Sequence, residues 1–163
     1  MTLKNTIIFI LLSVLGIAGA ARPQESMKHS VVAIEYIGES DKPVTPIVIS
    51  DSKAAAEWYR DSVLKRGELQ LTEMQVIDAS LLRALIADVD AFKGTIQGKE
   101  ESKVAHSKTV TVAVITATRN DTFRYDTGEA ILLLESLQKS CASGSGLRAS
   151  LAHFEDRIRA LQR

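Results

Sequence analysis

The stretch 109–140, TVTVAVITATRNDTFRYDTGEAILLLESLQKS, constrains the fold most, because it predicts two strands, a turn and a capped helix in one uninterrupted run. Residues 109–117 have a period of two, with Thr, Thr, Ala, Ile and Ala at the odd positions and Val, Val, Val and Thr at the even ones, which indicates a β-strand with one strongly apolar, β-branched face. Residues 118–121 predict a polar turn, and 122–125 return as the partner strand with Phe123 and Tyr125 on one face. We expect the whole stretch 109–140 to form the centre of the folding unit.

Two helices are predicted after the hairpin. Asp126 and Glu129 have the spacing of a capping box and begin a helix at 127–141 that is apolar over much of its surface, so we expect it to be covered on several sides. After a hinge at 142–146, a second helix at 147–163 carries apolar residues at heptad spacing: Leu147, Leu151, Phe154, Ile158 and Leu161. Two heptads favour docking on the same domain over a self-associating coiled coil.

The earlier part of the chain alternates strand and helix patterns. Strands are predicted at 31–37, 43–50 and 68–77, and helices at 53–66, ending at Gly67, and at 79–92. Because Pro46 cannot donate to a ladder, the second strand is expected at a sheet edge or with a bulge. The polar run 94–108 predicts a mobile loop. The predicted fold is therefore one α+β domain at 30–163, with about five strands in a mixed or antiparallel sheet and about four helices mainly on one face.

The first twenty residues differ in kind from the rest. A short polar start with Lys4 is followed by an apolar run that closes with Ala18, Gly19 and Ala20, which is the layout of a secretory signal peptide with its cleavage site. The run is shorter than the ~20 apolar residues that span a bilayer, so no stable membrane insertion is expected after cleavage. Residues 1–20 thus predict a secreted or periplasmic protein, with a polar leader at 21–29.

Charge and cysteine content limit the partners. The chain has 20 Lys and Arg against 20 Asp and Glu, dispersed without a basic cluster, which argues against a nucleic-acid partner. Cys141 is the only cysteine, so no intramolecular disulfide can form and the core must stabilise the fold unaided. A monomer is favoured. The alternatives are a dimer through the C-terminal helix or through an intermolecular disulfide of Cys141.

Candidate ligand-binding residues are few. Asp51, Asp78 and Asp126 each stand where a strand pattern passes into a helix pattern, which is typical of helix capping. The alternative is that the three carboxylates converge at one end of the sheet, where α/β proteins place ligands. Trp58, next to Tyr59, is either a core residue or part of a ligand-stacking pair. Asn120 begins an N-x-T sequon, interpreted first as part of the turn.

Catalytic signatures are missing from the sequence. There is no G-x-S-x-G, P-loop, dinucleotide-binding glycine pattern, H-E-x-x-H or C-x-x-C, and the three His residues are scattered without metal-ligand spacing. No catalytic residue, metal or cofactor is therefore assigned. The leading hypothesis is an exported, non-enzymatic module that binds a protein or another envelope component. The alternatives are a small secreted hydrolase with its site near the Asp-capped strand ends, and a carrier of a small apolar ligand in a cavity beneath Trp58 and Phe123.

Overall fold

The computed structural model describes residues 28–38, 43–65, 71–96 and 108–162. Within these ranges the chain forms a single α+β domain with a five-stranded mixed sheet and four helices, as the sequence predicts. The predicted signal peptide, residues 21–27 of the predicted leader and residues 97–107 of the predicted loop lie outside the described residues.

The strands of the sheet are arranged in the order β3-β2-β1-β4-β5. They are β1 (Val31–Ile37), β2 (Ile47–Ser50), β3 (Glu73–Val76), β4 (Thr109–Ile115) and β5 (Asn120–Asp126). The pair β2–β3 is parallel and the other pairs are antiparallel, which decides between the mixed and the antiparallel sheet. As a result β2, β3 and β4 end at one end of the sheet, called the upper end here, whereas β1 and β5 end at the lower end.

The predicted edge position of the second strand is wrong. β2 lies inside the sheet, between β3 and β1. Pro46 directly precedes the strand, and its carbonyl accepts a hydrogen bond from the Glu73 N–H at 2.9 Å. Because the strand begins one residue after the proline, the missing N–H removes no bond from the ladder.

The four helices differ from prediction mainly at their ends. They are α1 (Lys53–Trp58), which continues as a π-helical turn (Tyr59–Val63), α2 (Ala79–Ile96), α3 (Thr127–Ser140) and α4 (Gly146–Ala160). The first helix stops before the predicted Gly67, because Lys65 adopts a left-handed φ of 54°. α2 runs to Ile96, so the first residues of the predicted loop at 94–108 are helical. Ser145, in the predicted hinge, is the N-cap of α4.

The sheet has helices on both faces. The first face, which carries Val32, Ile34 and Val112, packs against α2, α3 and α4 and forms the large core. The second face, which carries Val31, Ala33 and Ile115, packs against α1 and its π-helical turn in a smaller cluster. Of the four helices in the described ranges, three therefore cover one face and α1 covers the other.

The two C-terminal helices bury the residues that the sequence assigns to the core. Leu133, Leu134 and Leu137 of α3 are buried between the sheet, α2 and α4, whereas Leu132 is 57% exposed. The α4 residues Leu147, Leu151, Phe154 and Ile158 are buried in the same core, so the heptad pattern reflects docking on this domain.

Candidate functional site

The three predicted carboxylates do not share one end of the sheet. Asp51 and Asp78 follow β2 and β3 at the upper end. Asp126 ends β5, which runs antiparallel to β4, and so lies at the lower end beside Thr109. The hypothesis of three converging carboxylates is therefore wrong, because the hairpin between β4 and β5 reverses the strand direction before Asp126.

Two of these carboxylates cap helices. Asp126 Oδ1 accepts from the Glu129 N–H at 2.8 Å, and Glu129 Oε2 accepts from the Asp126 N–H at 3.3 Å, which completes the predicted capping box. Asp78 accepts hydrogen bonds from the Ser80 hydroxyl and, at 2.7 Å, from the Ser80 N–H. These two bonds lower the pKa of the Asp78 carboxyl.

Asp51 has a different role. Ser52, not Asp51, is the N-cap of α1, since its Oγ accepts from the Ala55 N–H at 3.5 Å. Asp51 Oδ1 instead accepts from the Ser30 N–H at 3.2 Å and lies 3.3 Å from Nδ1 of His29. His29, which the sequence assigns to the structureless leader, is thereby held at the upper end of the sheet.

Trp58 stands where α1 changes its hydrogen-bond pattern. The Leu64 N–H donates to the Tyr59 carbonyl at 3.0 Å, five residues back, as in a π-helix. Such turns widen the helix and are frequent at functional sites. The rings of Trp58 and Tyr59 meet edge to face, with centroids 6.4 Å apart and planes at 71°. Tyr59 is buried against the second face, whereas Trp58 is only partly buried beside it.

An open groove lies between this helix and the hairpin β4–β5. Its volume is about 410 Å³, and its walls, floor and rim are formed by Trp58, Tyr59, Val63, Ala113, Ile115, Asn120 and Thr122. Ala113 and Ile115 are buried and form the floor, while Asn120 and Thr122 are exposed along the rim. The groove thus combines aromatic walls, an apolar floor and polar side chains at one margin, as small-ligand sites commonly do.

The predicted cavity beneath both Trp58 and Phe123 is not formed. Trp58 packs on the second face of the sheet, and Phe123, opposite Val112 in the register, packs on the first. Because successive side chains of a strand point to opposite faces, Phe123 cannot line a site together with its neighbour Thr122. Trp58 therefore contributes to the groove without Phe123.

A smaller cavity of about 180 Å³ lies beside α4, and its lining includes Glu73, His153 and Arg157. Its carboxylate already has partners, because Glu73 Oε1 accepts from the Ser150 hydroxyl and lies 3.4 Å from the Gln75 amide nitrogen. The Arg157 guanidinium donates to the Pro43 carbonyl at 3.4 Å. These contacts connect β3 and the start of β2 to α4, which explains the cluster as part of the packing.

The single cysteine lies at the end of α3. Cys141 is 5% exposed, and its thiol donates to the Leu137 carbonyl at 3.3 Å. Burial raises the pKa of the Cys141 thiol. A thiol in this position is a poor nucleophile, as expected for a helix C-terminus.

The sequence singled out Trp58 and Tyr59 as a possible ligand-stacking pair, and Asn120 as a turn residue, but it did not place them in one groove. Ala113, Ile115, Asn120 and Thr122 become neighbours of Trp58 only through the register of β4 with β5 and the position of α1. A usable signal was present in β4, where the second face changes from Thr109 and Thr111 to the apolar Ala113 and Ile115. This change indicates that only the upper half of that face is covered.

The described ranges contain no candidate membrane span and no candidate metal-binding group. Among residues 28–38, 43–65, 71–96 and 108–162, no helix is long and apolar enough to cross a membrane. In the same part of the chain, no group of three or more His, Cys, Asp or Glu residues is placed to hold a metal ion. No protein-family model matches the chain, and no curated protein or solved structure matches it significantly.

Proposed function

We propose that the chain is exported after removal of residues 1–20 and acts as a non-enzymatic binding module for a component of the cell envelope or extracellular space. The groove beside Trp58 is the binding site in this proposal. The observation that supports it most is the uneven cover of the sheet, because three helices cover the first face and one short helix covers the second. No helix of the described ranges covers the part of β4 and β5 beyond α1, and an open surface with aromatic walls is typical of a recognition site.

The chemistry of the open half-face fits recognition better than catalysis. Beyond the groove, the second face continues with Thr111, Arg124 and Glu35, and Arg124 is exposed. The exposed Arg124 guanidinium offers directional hydrogen-bond donors to a ligand, whereas the Thr111 hydroxyl already donates to the Glu35 carbonyl at 3.4 Å. Strands also hold these groups more firmly than a loop would.

Site-specific crosslinking in the native host tests the proposal. A photo-reactive amino acid is placed at Thr122, on the groove rim, and at Ala149, which is exposed on α4. We expect one defined adduct from position 122, identified by mass spectrometry, and none from position 149. Excess unlabelled wild-type protein should compete the adduct away, whereas a Thr122→Arg protein should not. Equal adducts from both positions would contradict the proposal.

Export is tested separately by fractionation and intact mass. The proposal expects a chain that begins at Ala21 in the periplasm or medium. A full-length chain that stays in the cytoplasm would refute the export part of the proposal while leaving the groove as a binding site.

A second candidate function is hydrolysis, and one observation favours it. The contact of His29 Nδ1 with Asp51 at 3.3 Å has the geometry in which a carboxylate orients a histidine base. The Ser50 hydroxyl donates to the Ser30 carbonyl at 2.8 Å, so it is not aimed at the imidazole. Hydrolysis of an activated ester by the wild type, lost in both His29→Gln and Asp51→Asn, would favour this second function over binding.

A further inference from the structure

The groove is lined by uncharged side chains. Of the described residues that line it, none is Lys, Arg, His, Asp or Glu. The one ionisable group among them is the Tyr59 phenol, whose pKa is raised to about 12 by burial and, secondarily, by the negative charge of Glu35. The phenol is therefore neutral at physiological pH. A ligand seated in the groove contacts no charged side chain among the described residues, which favours an uncharged ligand over a phosphate, a nucleotide or an ionic lipid headgroup.

The shape of the groove selects a ligand with two kinds of surface. The partly buried Trp58 ring supplies flat apolar surface, the buried Tyr59 supports it edge to face, and the small Ala113 side chain leaves room above the sheet between Trp58 and β5. The exposed Asn120 amide and Thr122 hydroxyl supply donors and acceptors along the other margin. The complementary ligand has an apolar face to lie against an aromatic ring and hydroxyl or amide groups at its periphery.

Two other neutral ligands fit less well. An extended peptide adds to a sheet through free main-chain groups at an edge. Ala113, on the groove floor, is paired with Ala33 on one side and Thr122 on the other, so an added peptide strand would pair with the edge strand β5, outside the floor that faces Trp58. A lipid chain favours an enclosed, dry cavity, whereas this groove is open to solvent and bordered by an amide and a hydroxyl.

We infer that the groove binds a ring of a neutral oligosaccharide, stacked against Trp58 with its polar substituents directed to Asn120 and Thr122. This inference rests on the proposed function and names the chemical class of the envelope component. A pyranose ring presents C–H groups on its faces and hydroxyls at its edge, which is the combination of surfaces that the groove complements.

Trp58 makes the inference directly measurable, since it is the only tryptophan of the chain. The purified mature chain is titrated with cellotriose and, in a second arm, with N,N′,N″-triacetylchitotriose, and Trp58 fluorescence is followed. We expect a saturable change with at least one of the two sugars. The first arm alone indicates a hydroxyl-only glycan, and a preference for the second indicates an N-acetylated glycan.

Matched variants locate the binding site. Thr122→Arg and Asn120→Arg each place a long hydrated cation on the exposed rim, and we expect each to weaken binding by about tenfold or more. Ala149→Arg adds the same side chain on α4, away from the groove, and should leave the affinity unchanged. Far-UV circular dichroism checks that the variants fold. The two rim variants are independent, so one of them suffices if the other misfolds.

The outcomes separate this inference from the function on which it rests. A crosslinked adduct at position 122 together with no fluorescence response to either sugar overturns the carbohydrate inference and leaves the binding function standing. Saturable binding that Thr122→Arg and Asn120→Arg do not weaken places the sugar elsewhere and also overturns the inference. If neither the crosslinking nor the titration gives a signal, both the binding function and the carbohydrate inference are refuted.

Discussion

Replacing Leu134 by alanine tests whether α3 is central to the core. Leu134 is 1% exposed and lies between the sheet, α2 and α4. Removing a buried leucine side chain forfeits its transfer free energy and leaves a cavity, and together these cost about 2–5 kcal/mol. A domain of this size is typically stable by about 5–15 kcal/mol, so the variant should fold but unfold at a clearly lower urea concentration. Leu134→Asp, which also buries a charge, should not fold.

The same helix supplies the control for this prediction. Leu132 is 57% exposed, two residues away, and its replacement by alanine should change the free energy of unfolding by less than about 0.5 kcal/mol. Both variants are unfolded in urea and followed by far-UV circular dichroism and by Trp58 fluorescence. Trp58 lies on the opposite face of the sheet from Leu134, so coincident transitions show that the two clusters unfold together. Equal shifts of the unfolding midpoint for Leu132→Ala and Leu134→Ala would refute the assignment, as would a soluble, folded Leu134→Asp protein.

Three further predictions concern the cap of α3, the cysteine and the buried tyrosines. Asp126→Ala should cost about 1 kcal/mol in urea unfolding because it removes the N-cap, whereas Asp126→Asn retains an acceptor and should be nearly neutral; equal losses would show that the charge matters more than the cap. Cys141 should react with a thiol reagent at least about tenfold more slowly in the folded protein than in urea, because it is buried; equal rates would show an accessible thiol able to form an intermolecular disulfide. The pKa values of Tyr59 and Tyr125 are raised to about 12 by burial, above the value of about 10 in the unfolded chain. The folded state therefore holds more protons between these values, so the tyrosine contribution to stability should be constant below about pH 10 and fall by up to about 1.4 kcal/mol per pH unit per tyrosine as the pH rises to about 12. Urea unfolding across this range, with phenolate absorbance as the titration signal, checks the prediction; stability that is independent of alkaline pH would contradict it.

The sequence was informative about local structure wherever one segment carries its own signals. The strand at Thr109, the capping box of Asp126 with Glu129 and the apolar spacing of α4 were all predicted within a few residues. These features depend on hydrophobic periodicity, secondary-structure propensity and helix capping, which act over a few neighbouring residues. The predicted end of the first helix was wrong. Gly67 was expected to follow its last residue, but the chain leaves the helix two residues earlier, where Lys65 adopts a left-handed conformation.

The arrangement in space depended on pairings between distant residues. Pro46 suggested an edge strand, yet β2 is interior, because a proline just before a strand leaves the ladder intact. The candidate site also depends on pairings between residues that are far apart in the chain. Trp58 was visible as an aromatic residue on a helix, but the register that sets Ala113 opposite Thr122 brings the floor and rim of the groove to it.

The sequence by itself thus determined the elements, the fold class, the capping of α3 and the absence of intramolecular disulfides, because each follows from short-range chemistry or simple counting. Only the tertiary structure decided which face α1 covers, that Asp126 lies at the other end of the sheet from Asp51 and Asp78, and that Trp58 and Phe123 are on opposite faces. These outcomes follow from strand order and register, and contacts between residues far apart in the chain select both of them.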